Sequence, residues 1–391
     1  MKMKKFGICA VAFMILLVGC APAEPQAPAT STTERSAATD ASSNADAGST
    51  STAAPEAAEV PDARFVKDLN DRIVEIPANI ESIICIGAGA LRFTTYMKAL
   101  DLVVGVLANE VGAPVAKPFA YVNSELFSSL PIIGSGSTPY EEEIVRLMPD
   151  VIIANMSAEN ADALQETVNI PVVTITFVDN IFDETSFRVF ELLGEVYERQ
   201  GRADELIAWL SGLNEDLSDR VSNIEEGDKP TVYVGGVNFM GSHGLDGTEA
   251  GFFPFSAVGA RNLADEVGQS GHFNIDLEQV LMWDPDIIFI DFNGMALINE
   301  SYANMPDFFN ALTAVREGRL YSQISFRFTG VNWEMALINA YWVGAVVFPE
   351  QFADVDPIAK ADEIFEMMLG TSFYQTLAES GLEFREMRLG E

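Results

Sequence analysis

The sequence contains little cysteine and little histidine. Its 391 residues include three cysteines, Cys9, Cys20 and Cys85, and two histidines, His243 and His272. Because two of the cysteines lie within the first twenty positions, one remains for a folded domain, which excludes a disulfide framework and a cysteine-based zinc site. Two histidines also exclude a metal centre built from three imidazoles. We therefore assign no metal ligands.

Positive charge is scarce as well. Lys and Arg number 23 against 58 Asp and Glu, which gives a formal net charge of −35. A nucleic-acid partner is excluded, because such a protein needs cations to replace the counterions of the phosphates. Beyond the first twenty positions no apolar run approaches the roughly 20 residues of a membrane span. Hydrophobic residues make up 48% of the chain, enough for a large core, and the length predicts about two domains.

The N-terminus has the pattern of a secretory signal. Lys2, Lys4 and Lys5 precede an apolar run over residues 6–18, and the run ends in Leu-Val-Gly-Cys at Cys20. This ending resembles the bacterial lipobox, in which the cysteine is diacylated and becomes the new N-terminus. The alternatives are an ordinary signal peptide or a short buried helix with a chance cysteine.

We predict a signal peptide over residues 1–19, lipidation at Cys20 and a tether over residues 20–63. The tether is composed of Ala, Pro, Ser, Thr and acidic residues, which bury too little surface to offset the entropy of ordering. Two acyl chains suffice for stable anchoring. The expected location is the extracytoplasmic face of the bacterial cytoplasmic membrane, with contact to the membrane through the lipid anchor only.

From residue 64 onward, short apolar runs alternate with helical segments, which is typical of α/β proteins. The predicted strands cover residues 80–86, 102–107, 151–154, 170–176, 231–234 and 287–291. One unit recurs: residues 142–153 and 278–289 both contain a Glu, a short apolar helix, Pro-Asp and a buried strand. If Val145 is aligned with Val280, the second copy has one extra residue. The repeat predicts two lobes of related topology, residues 64–201 and 227–391.

The segment between the lobes, residues 202–226, is predicted to be a bridging helix. Its apolar residues recur at three- and four-residue steps through residue 224, along one face of a helix. At 1.5 Å per residue such a helix reaches about 35 Å, enough to connect two lobes and to restrict their bending.

Two further motifs carry a family resemblance. Asp68 and Arg72 lie in an opening hairpin of the form Asp-x-x-x-Arg-x-Val-x-Ile-Pro, and residues 87–92 read Gly-Ala-Gly-Ala-Leu-Arg. With the lipobox, the tether, the lobes and the helix, the chain resembles the substrate-binding lipoproteins of ABC importers that handle iron–siderophore complexes, haem and vitamin B12. The resemblance covers residues 64–391.

This resemblance implies an α/β fold of two Rossmann-like lobes joined by one long helix, with the ligand cleft between them. It also implies a monomeric, non-enzymatic protein that delivers an iron chelate to a permease dimer driven by a cytoplasmic ATPase, without a cofactor of its own. In the family, one Glu per lobe docks onto arginines of the permease, and the matching residues here are Glu142 and Glu278. Each Glu also suits the first turn of a helix on electrostatic grounds alone.

Ligands of α/β lobes bind beyond the carboxyl ends of the strands. The loop after the first predicted strand offers Gly87 and Gly89 for close backbone approach and Arg92 as a bidentate donor to an anionic oxygen, or as the partner of a nearby acid. Other candidates on loops near predicted strand ends are Tyr121, Tyr140, Asn155, Phe239, His243, Asn293, Arg327 and Trp333. Aromatic side chains beside a few cations suit a large, flat, partly anionic ligand.

Several alternatives remain open at the level of sequence. The cargo is an iron chelate or, in the same importer class, a corrinoid or haem. An extracytoplasmic enzyme is disfavoured because the chain lacks the Gly-x-Ser-x-Gly and His-Glu-x-x-His motifs. A ligand sensor without a transport role has the same sequence features as a transport protein.

Overall fold

The computed structural model describes residues 63–176 and 180–390. These residues lie in one compact unit, Glu59–Glu391. The predicted signal peptide, Cys20 and almost all of the predicted tether lie outside the described residues. Within the described part, no helix is both long enough and apolar enough to cross a membrane.

The chain before residue 200, here called lobe one, alternates strands with helices. Its strands are β1 (Ala63–Lys67), β2 (Ile73–Pro77), β3 (Ile83–Ile86), β4 (Val103–Leu107), β5 (Ile132–Ser135), β6 (Thr138–Pro139), β7 (Val151–Ala154) and β8 (Val172–Thr174). Its helices are α1 (Ala90–Tyr96), α2 (Pro118–Tyr121), α3 (Ser124–Ser129), α4 (Glu141–Leu147), α5 (Ala158–Val168) and α6 (Glu184–Tyr197). The sheet order is β6-β5-β4-β3-β7-β8, with parallel neighbours except at β5 and β6.

The long helix α7 (Gln200–Val221) follows, and the chain beyond it is here called lobe two. Its strands are β9 (Thr231–Gly235), β10 (Gly247–Ala250), β11 (Arg261–Asn262), β12 (Gly271–Asn274), β13 (Ile287–Asp291) and β14 (Leu320–Gln323). Its helices are α8 (Phe253–Ala257), α9 (Leu277–Trp283), α10 (Met295–Asn304), α11 (Pro306–Ala311), α12 (Thr313–Arg316), α13 (Trp333–Val347), α14 (Pro357–Leu369) and α15 (Tyr374–Glu379). The main sheet is parallel in the order β11-β9-β13-β14, and β10 pairs with β12 antiparallel. The predicted α/β class is confirmed.

The opening hairpin, β1 and β2, is attached to lobe one through Asp68. The fully buried carboxylate of Asp68 accepts hydrogen bonds from Arg72 Nη1 at 2.9 Å and from the Thr174 hydroxyl at 2.7 Å. Thr174 is the last residue of β8, so the Asp-x-x-x-Arg motif joins the hairpin to the edge of the first sheet.

The two sheets correspond residue by residue at their centres. Ile83 of β3 pairs with Val151 of β7, and Val232 of β9 pairs with Ile287 of β13. The helix that precedes each second strand has seven residues and ends at a residue with a left-handed backbone. The repeat predicted from the sequence is therefore a repeat of structure.

One detail of the predicted alignment was wrong. Ile144 and Val280 are both fully buried, whereas Val145 is 47% exposed, so Ile144 is the counterpart of Val280. With this match the two copies have the same length. The reason is physical: each short helix has one side chain that enters the core beneath it, and that position fixes the register.

Helix α7 lies against a core that is continuous from one lobe to the other. This core contains buried residues of α7 itself, of both sheets, of α1 and α6, and of α13 and α14. Near the start of α7, Arg202 donates to the carbonyls of Tyr96 at 2.9 Å and Met367 at 2.6 Å. Near its end, Arg220 donates to the Gln351 carbonyl at 2.9 Å. The helix is thus attached at both ends to elements distant in sequence.

Candidate ligand-binding site

In lobe one, the loops that follow β3 and β7 pack against each other and hydrogen-bond to each other. Asn155, just after β7, donates through Nδ2 to the Ala88 carbonyl at 2.8 Å. Gly87 has a φ of 86°, and a Cβ added there would lie 2.6 Å from the Asn155 carbonyl oxygen. Gly89 has a φ of 87° and caps the start of α1. The predicted residues Gly87 and Asn155 are therefore brought together, and Asn155 is also tied to Ala88, the neighbour of Gly89.

Arg92, in the first turn of α1, reaches across to lobe two. It is 1% exposed, and its guanidinium donates to the carbonyls of Val331 at 2.8 Å, Thr329 at 3.0 Å and Phe328 at 3.1 Å. Its Cζ also lies 5.0 Å from the centroid of the Phe119 ring. The partners of Arg92 are thus backbone carbonyls, rather than the acidic side chain considered from the sequence.

Trp333 and Glu334, at the start of α13, extend this contact between the lobes. The fully buried Trp333 ring lies 5.0 Å from Phe93 and 5.5 Å from Phe190, centroid to centroid. Glu334 accepts a hydrogen bond from the hydroxyl of Tyr96. Burial raises the pKa of Glu334, and the charge of Arg92 opposes that rise.

A second buried cation lies nearby. Lys117 is fully buried, forms an ion pair with Glu110 at 2.5 Å, and lies 5.2 Å from the centroid of the Phe119 ring that Arg92 also faces. Burial lowers the pKa of Lys117, and the Glu110 carboxylate opposes that change. Because each buried cation has a buried carboxylate near it, this region is close to neutral overall.

In lobe two, the strand ends present polar side chains. Asp291, at the end of β13, accepts hydrogen bonds from the Ser325 hydroxyl and from the backbone N–H of Asn293, the latter at 2.9 Å. Burial raises the pKa of Asp291 to about 6. Asn293 and Arg327 line one small cavity of about 10 Å³ together with Asp291. The predicted pair Asn293 and Arg327 is therefore brought together.

A larger cavity, of about 580 Å³, lies beside Arg327. Its described lining mixes polar, aromatic and small residues: Asn180, Glu249, Ala250, Gly251, Phe253, Ser256, Gly271, His272, Arg327, Thr329, Gly330 and Val331. Asn180 belongs to lobe one, between β8 and α6, and the rest belong to lobe two. Among residues 63–176 and 180–390, no three His, Cys, Asp or Glu side chains are grouped so as to hold a metal ion.

Arg327 is the predicted ligand residue that lines this cavity. Its Nη2 donates to Glu249 Oε1 at 2.5 Å, and its Cζ lies 4.4 Å from the centroid of the Phe326 ring. The side chain keeps 26% of its surface exposed. A guanidinium held on one edge by a carboxylate retains further N–H donors for an anionic ligand.

Both histidines lie against Phe239. His243 stacks on the Phe239 ring with centroids 3.9 Å apart, and its Nε2 lies 2.8 Å from the Phe239 carbonyl oxygen. The His272 ring lies 4.7 Å from the same Phe239 ring and also lines the larger cavity. The predicted residue Phe239 therefore contacts both histidines, and neither Phe239 nor His243 is among the described residues that line the larger cavity.

Three predicted aromatic residues lie elsewhere. Tyr121 is 41% exposed, and its ring lies 5.6 Å from that of Phe373. Tyr140 is 45% exposed and immediately precedes α4. Trp333 is fully buried in the core, away from the cavity lining. None of these three lines the larger cavity among its described wall residues.

Glu142 and Glu278 occupy matching positions in α4 and α9. Both are exposed and lie in the first turn of their helix. Neighbouring Glu143 forms an ion pair with Arg146 at 2.5 Å, whereas Glu142 and Glu278 form no ion pair within the described residues. Since each helix runs into a parallel strand, its first turn points toward the carboxyl edge of the sheet.

The sequence reasoning missed Asn180, Glu249 and Ser256, and treated His272 as structural or solvent-facing. The pairing of Glu249 with Arg327 joins positions 78 residues apart and leaves no local pattern. A turn signal was available at Gly330, which follows a polar residue and has a φ of 89°. It marks the turn that forms one wall of the larger cavity.

Comparison with known families agrees with this geometry. The model of a family described as periplasmic binding proteins matches residues 94–323, more than half of the chain. The chain belongs to the periplasmic binding protein family. The family resemblance inferred from the sequence is thereby confirmed, and this periplasmic binding protein is a solute-binding protein, not an enzyme.

Individual relatives are distant in sequence and similar in fold. Over 335 residues the chain is 24% identical to the molybdate-binding protein MolA of Haemophilus influenzae, covering 79% of this chain and 92% of MolA. The solved structure of MolA bound to molybdate superposes with a TM-score of 0.61 at 21% identity, covering 79% of this chain and 98% of MolA. A periplasmic solute binding protein from Veillonella parvula gives a TM-score of 0.63 at 19% identity, covering 80% and 94% of the two chains.

Proposed function

We propose that this periplasmic binding protein captures an iron chelate of the ferric siderophore type in the 580 Å³ cavity and delivers it to an ABC permease. The cavity is the observation that supports this cargo. Its volume lies within the range of about 300–1,000 Å³ that suits an organic ligand of drug size. A bare tetrahedral oxyanion would leave most of it empty.

The chemistry of the wall supports the same class of ligand. Arg327 offers guanidinium N–H donors, Asn180 and Ser256 offer neutral polar groups, and Phe253 and His272 offer ring surfaces. Cations beside aromatic rings suit a flat, partly anionic chelate. A permanent metal ligand set is not part of this proposal, because the metal travels inside the chelate.

Molybdate is a second candidate, favoured by the likeness to MolA. Haem and a corrinoid are further cargoes of the same importer class. A thermal-shift titration of the purified full chain separates them, with iron(III)–enterobactin, haem, cyanocobalamin, molybdate and free iron(III) as ligands. A ligand at 100 times its Kd adds about 2.7 kcal/mol to stability. We expect the anionic catecholate chelate to raise Tm; a rise with molybdate alone would contradict the chelate proposal.

Delivery is proposed to use Glu142 and Glu278, one from each lobe, as contacts to basic residues of a permease dimer. Their exposure, their matching positions and their lack of an ion pair within the described residues support this role. Lipidation at Cys20 would hold the protein at the extracytoplasmic face of the membrane, and the chain is proposed to act as a monomer. Mass spectrometry of the N-terminal peptide tests the anchor. We expect the mass of a peptide that begins with a diacylated Cys20.

A further inference from the structure

We infer that Arg92 of lobe one is a positioning residue that holds a wall of the ligand cavity in lobe two. The wall is the turn formed by residues 327–331, here called the binding turn. The inference rests on the proposed function, because it takes the 580 Å³ cavity as the ligand site. It gives Arg92 a different role from the direct ligand contact expected from the sequence.

The binding turn has two sides. Arg327, Thr329, Gly330 and Val331 line the cavity. The carbonyls of Phe328, Thr329 and Val331 accept hydrogen bonds from the guanidinium of Arg92, at 2.8 to 3.1 Å. The same five residues therefore connect the cavity wall to α1 of the other lobe.

The backbone of the binding turn explains why it needs a partner. Thr329 and Gly330 have φ values of 53° and 89°, and Arg327 and Val331 pair across the turn by a single antiparallel bridge. A left-handed conformation at a threonine is unfavourable in isolation and persists where the surroundings impose it. Three carbonyls that converge on one point also repel one another unless a donor group lies among them.

Arginine fits this position better than another residue would. Its planar group presents several N–H donors at fixed angles, and Nη1 and Nη2 together reach all three carbonyls. The Arg92 charge lowers the pKa of the buried Glu334 carboxyl, against the larger effect of burial, and its Cζ lies 5.0 Å from the centroid of the Phe119 ring. Nε of Arg92 finds no partner among the described residues, so the three carbonyls of the turn are the hydrogen-bond acceptors of this guanidinium.

The consequence concerns retention of the ligand. A rigid turn keeps Arg327 beside Glu249 and keeps the cavity wall closed around a bound molecule. Without Arg92 the turn would sample other conformations, and a wall that opens more often releases its ligand faster. Ligand entry is limited by diffusion and orientation, so the dissociation rate is expected to change more than the association rate.

Two variants of the full chain test the inference without relying on a single fold-sensitive change. Arg92→Lys keeps the charge but loses the planar set of donors. The double variant Arg92→Met with Glu334→Gln removes the cation together with the buried carboxyl whose pKa it lowers, so that Glu334 is not left buried without the cation. Arg64→Met is the matched control, because Arg64 donates to the carbonyls of Glu195 at 2.6 Å and Val196 at 2.7 Å within lobe one.

The first readout is amide hydrogen exchange of residues 328–332 in ligand-free protein. We expect both Arg92 variants to speed this exchange by about tenfold or more, and Arg64→Met to leave it unchanged even if its Tm falls. The emission spectrum of the four tryptophans, one of which, Trp333, follows the turn in sequence, provides a spectroscopic check and should shift in the Arg92 variants only. Unchanged exchange in both Arg92 variants would overturn the inference.

The second readout is the dissociation rate of iron(III)–enterobactin. We expect it to rise about tenfold in the Arg92 variants while the association rate stays within about twofold. Faster exchange with an unchanged dissociation rate would overturn the link between the turn and retention. If the wild type fails to bind the chelate, the proposed cargo fails, and the exchange experiment still decides whether Arg92 holds the turn.

Discussion

In lobe one, β3 leads into Gly87 and β7 leads into Asn155; in lobe two, the corresponding strands lead into Gly236 and end at Asp291. Gly87 and Gly236 have φ values of 86° and 81°, and each backbone passes close to the carbonyl of the paired residue, Asn155 or Asp291. The backbone arrangement at the two strand ends is the same, but the polar side chain differs. The lobe one amide bonds to its own loop, whereas the lobe two carboxyl shares a small cavity with Arg327.

This difference suggests a division of labour between two lobes of one design. In lobe one, the polar side chain after β7 is hydrogen-bonded to the backbone of a neighbouring loop, and Arg92 donates hydrogen bonds to the binding turn of lobe two. Lobe two supplies most of the side chains that line the cavity. Two lobes of the same fold therefore need not contact the ligand in the same way. A few side chains at the strand ends determine which lobe is proposed to bind the ligand and which lobe holds the wall of the cavity.

The largest expected effect concerns the surface that the two lobes are proposed to share for docking. Charge reversal at both positions, Glu142→Arg with Glu278→Arg, should abolish uptake by cells and leave the affinity for the chelate unchanged. The control is Glu159→Arg with Glu184→Arg, which changes charge equally at exposed first-turn acids of α5 and α6. Uptake at the wild-type rate in the docking variant would refute the docking assignment.

A second pair of changes tests whether the shared framework is equally important in both lobes. Asp150 accepts hydrogen bonds from the N–H of Glu81 and of Ser82, each at 2.8 Å, and Asp286 accepts from Thr231 N at 2.8 Å. Replacing either Asp by Ala should lower the free energy of unfolding by about 1.5–3 kcal/mol, because a charged hydrogen-bond acceptor is lost. Urea denaturation measures the free energy of unfolding of both variants. An unchanged value for one variant would show that its lobe does not depend on the hydrogen bonds of that Asp.

The third prediction converts the lobe two strand end into the lobe one form. In Asp291→Asn the carboxyl becomes the amide found at Asn155. The pKa of Asp291 is about 6 in the folded protein, above the ordinary aspartate value of 3.8, so the folded protein binds the proton more tightly than the unfolded chain does. The stability that this proton confers is present at low pH and is lost as pH rises toward and past 6.

The measurement is the free energy of unfolding at pH 4.5 and pH 7 for wild type and Asp291→Asn. Between these values the wild type should lose about 2 kcal/mol relative to the variant, at about 1.4 kcal/mol per pKa unit. Asn155→Asp is the converse change at the lobe one position. A constant difference between wild type and Asp291→Asn across this range would show that Asp291 is not the responsible group.

The smallest expected effect concerns the two glycines. An added Cβ would lie 2.6 Å from the Asn155 carbonyl oxygen at Gly87, and 3.0 Å from the Asp291 carbonyl oxygen at Gly236. The free energy of unfolding of Gly87→Ala and of Gly236→Ala should each fall by roughly 1 kcal/mol or more, because φ is positive at both sites. Gly87→Ala should be the less stable of the two in thermal unfolding; the reverse order would indicate that the lobe one loop adjusts more easily.

Local patterns predicted the framework of the fold. The strands β7 and β13 begin and end at the predicted residues. Pro-Asp precedes each strand, and a polar residue lies at its end: Asn155 directly after β7, and Asp291 as the last residue of β13. The same spacing placed Glu142 and Glu278 at matching helix starts. Periodicity and turn residues are visible within a short window, so features built from them can be inferred from the sequence alone.

The site itself depended on contacts that no short window contains. Arg92 meets carbonyls 236 to 239 residues away, and Arg327 meets Glu249 across 78 residues. The loop sequence 87–92 correctly identified a strand end but could not reveal that its own atoms fill it. Only the packing of the two lobes shows which polar residues remain available to a ligand.

A crystal structure of the full chain with iron(III)–enterobactin would test most directly whether lobe two binds the ligand while lobe one supports the binding turn. The account predicts electron density for the chelate against Arg327, His272 and Phe253, with Arg92 still bound to the carbonyls of the binding turn. Density over the loop at residues 87–92 and Asn155, with Arg92 turned toward the ligand, would contradict it.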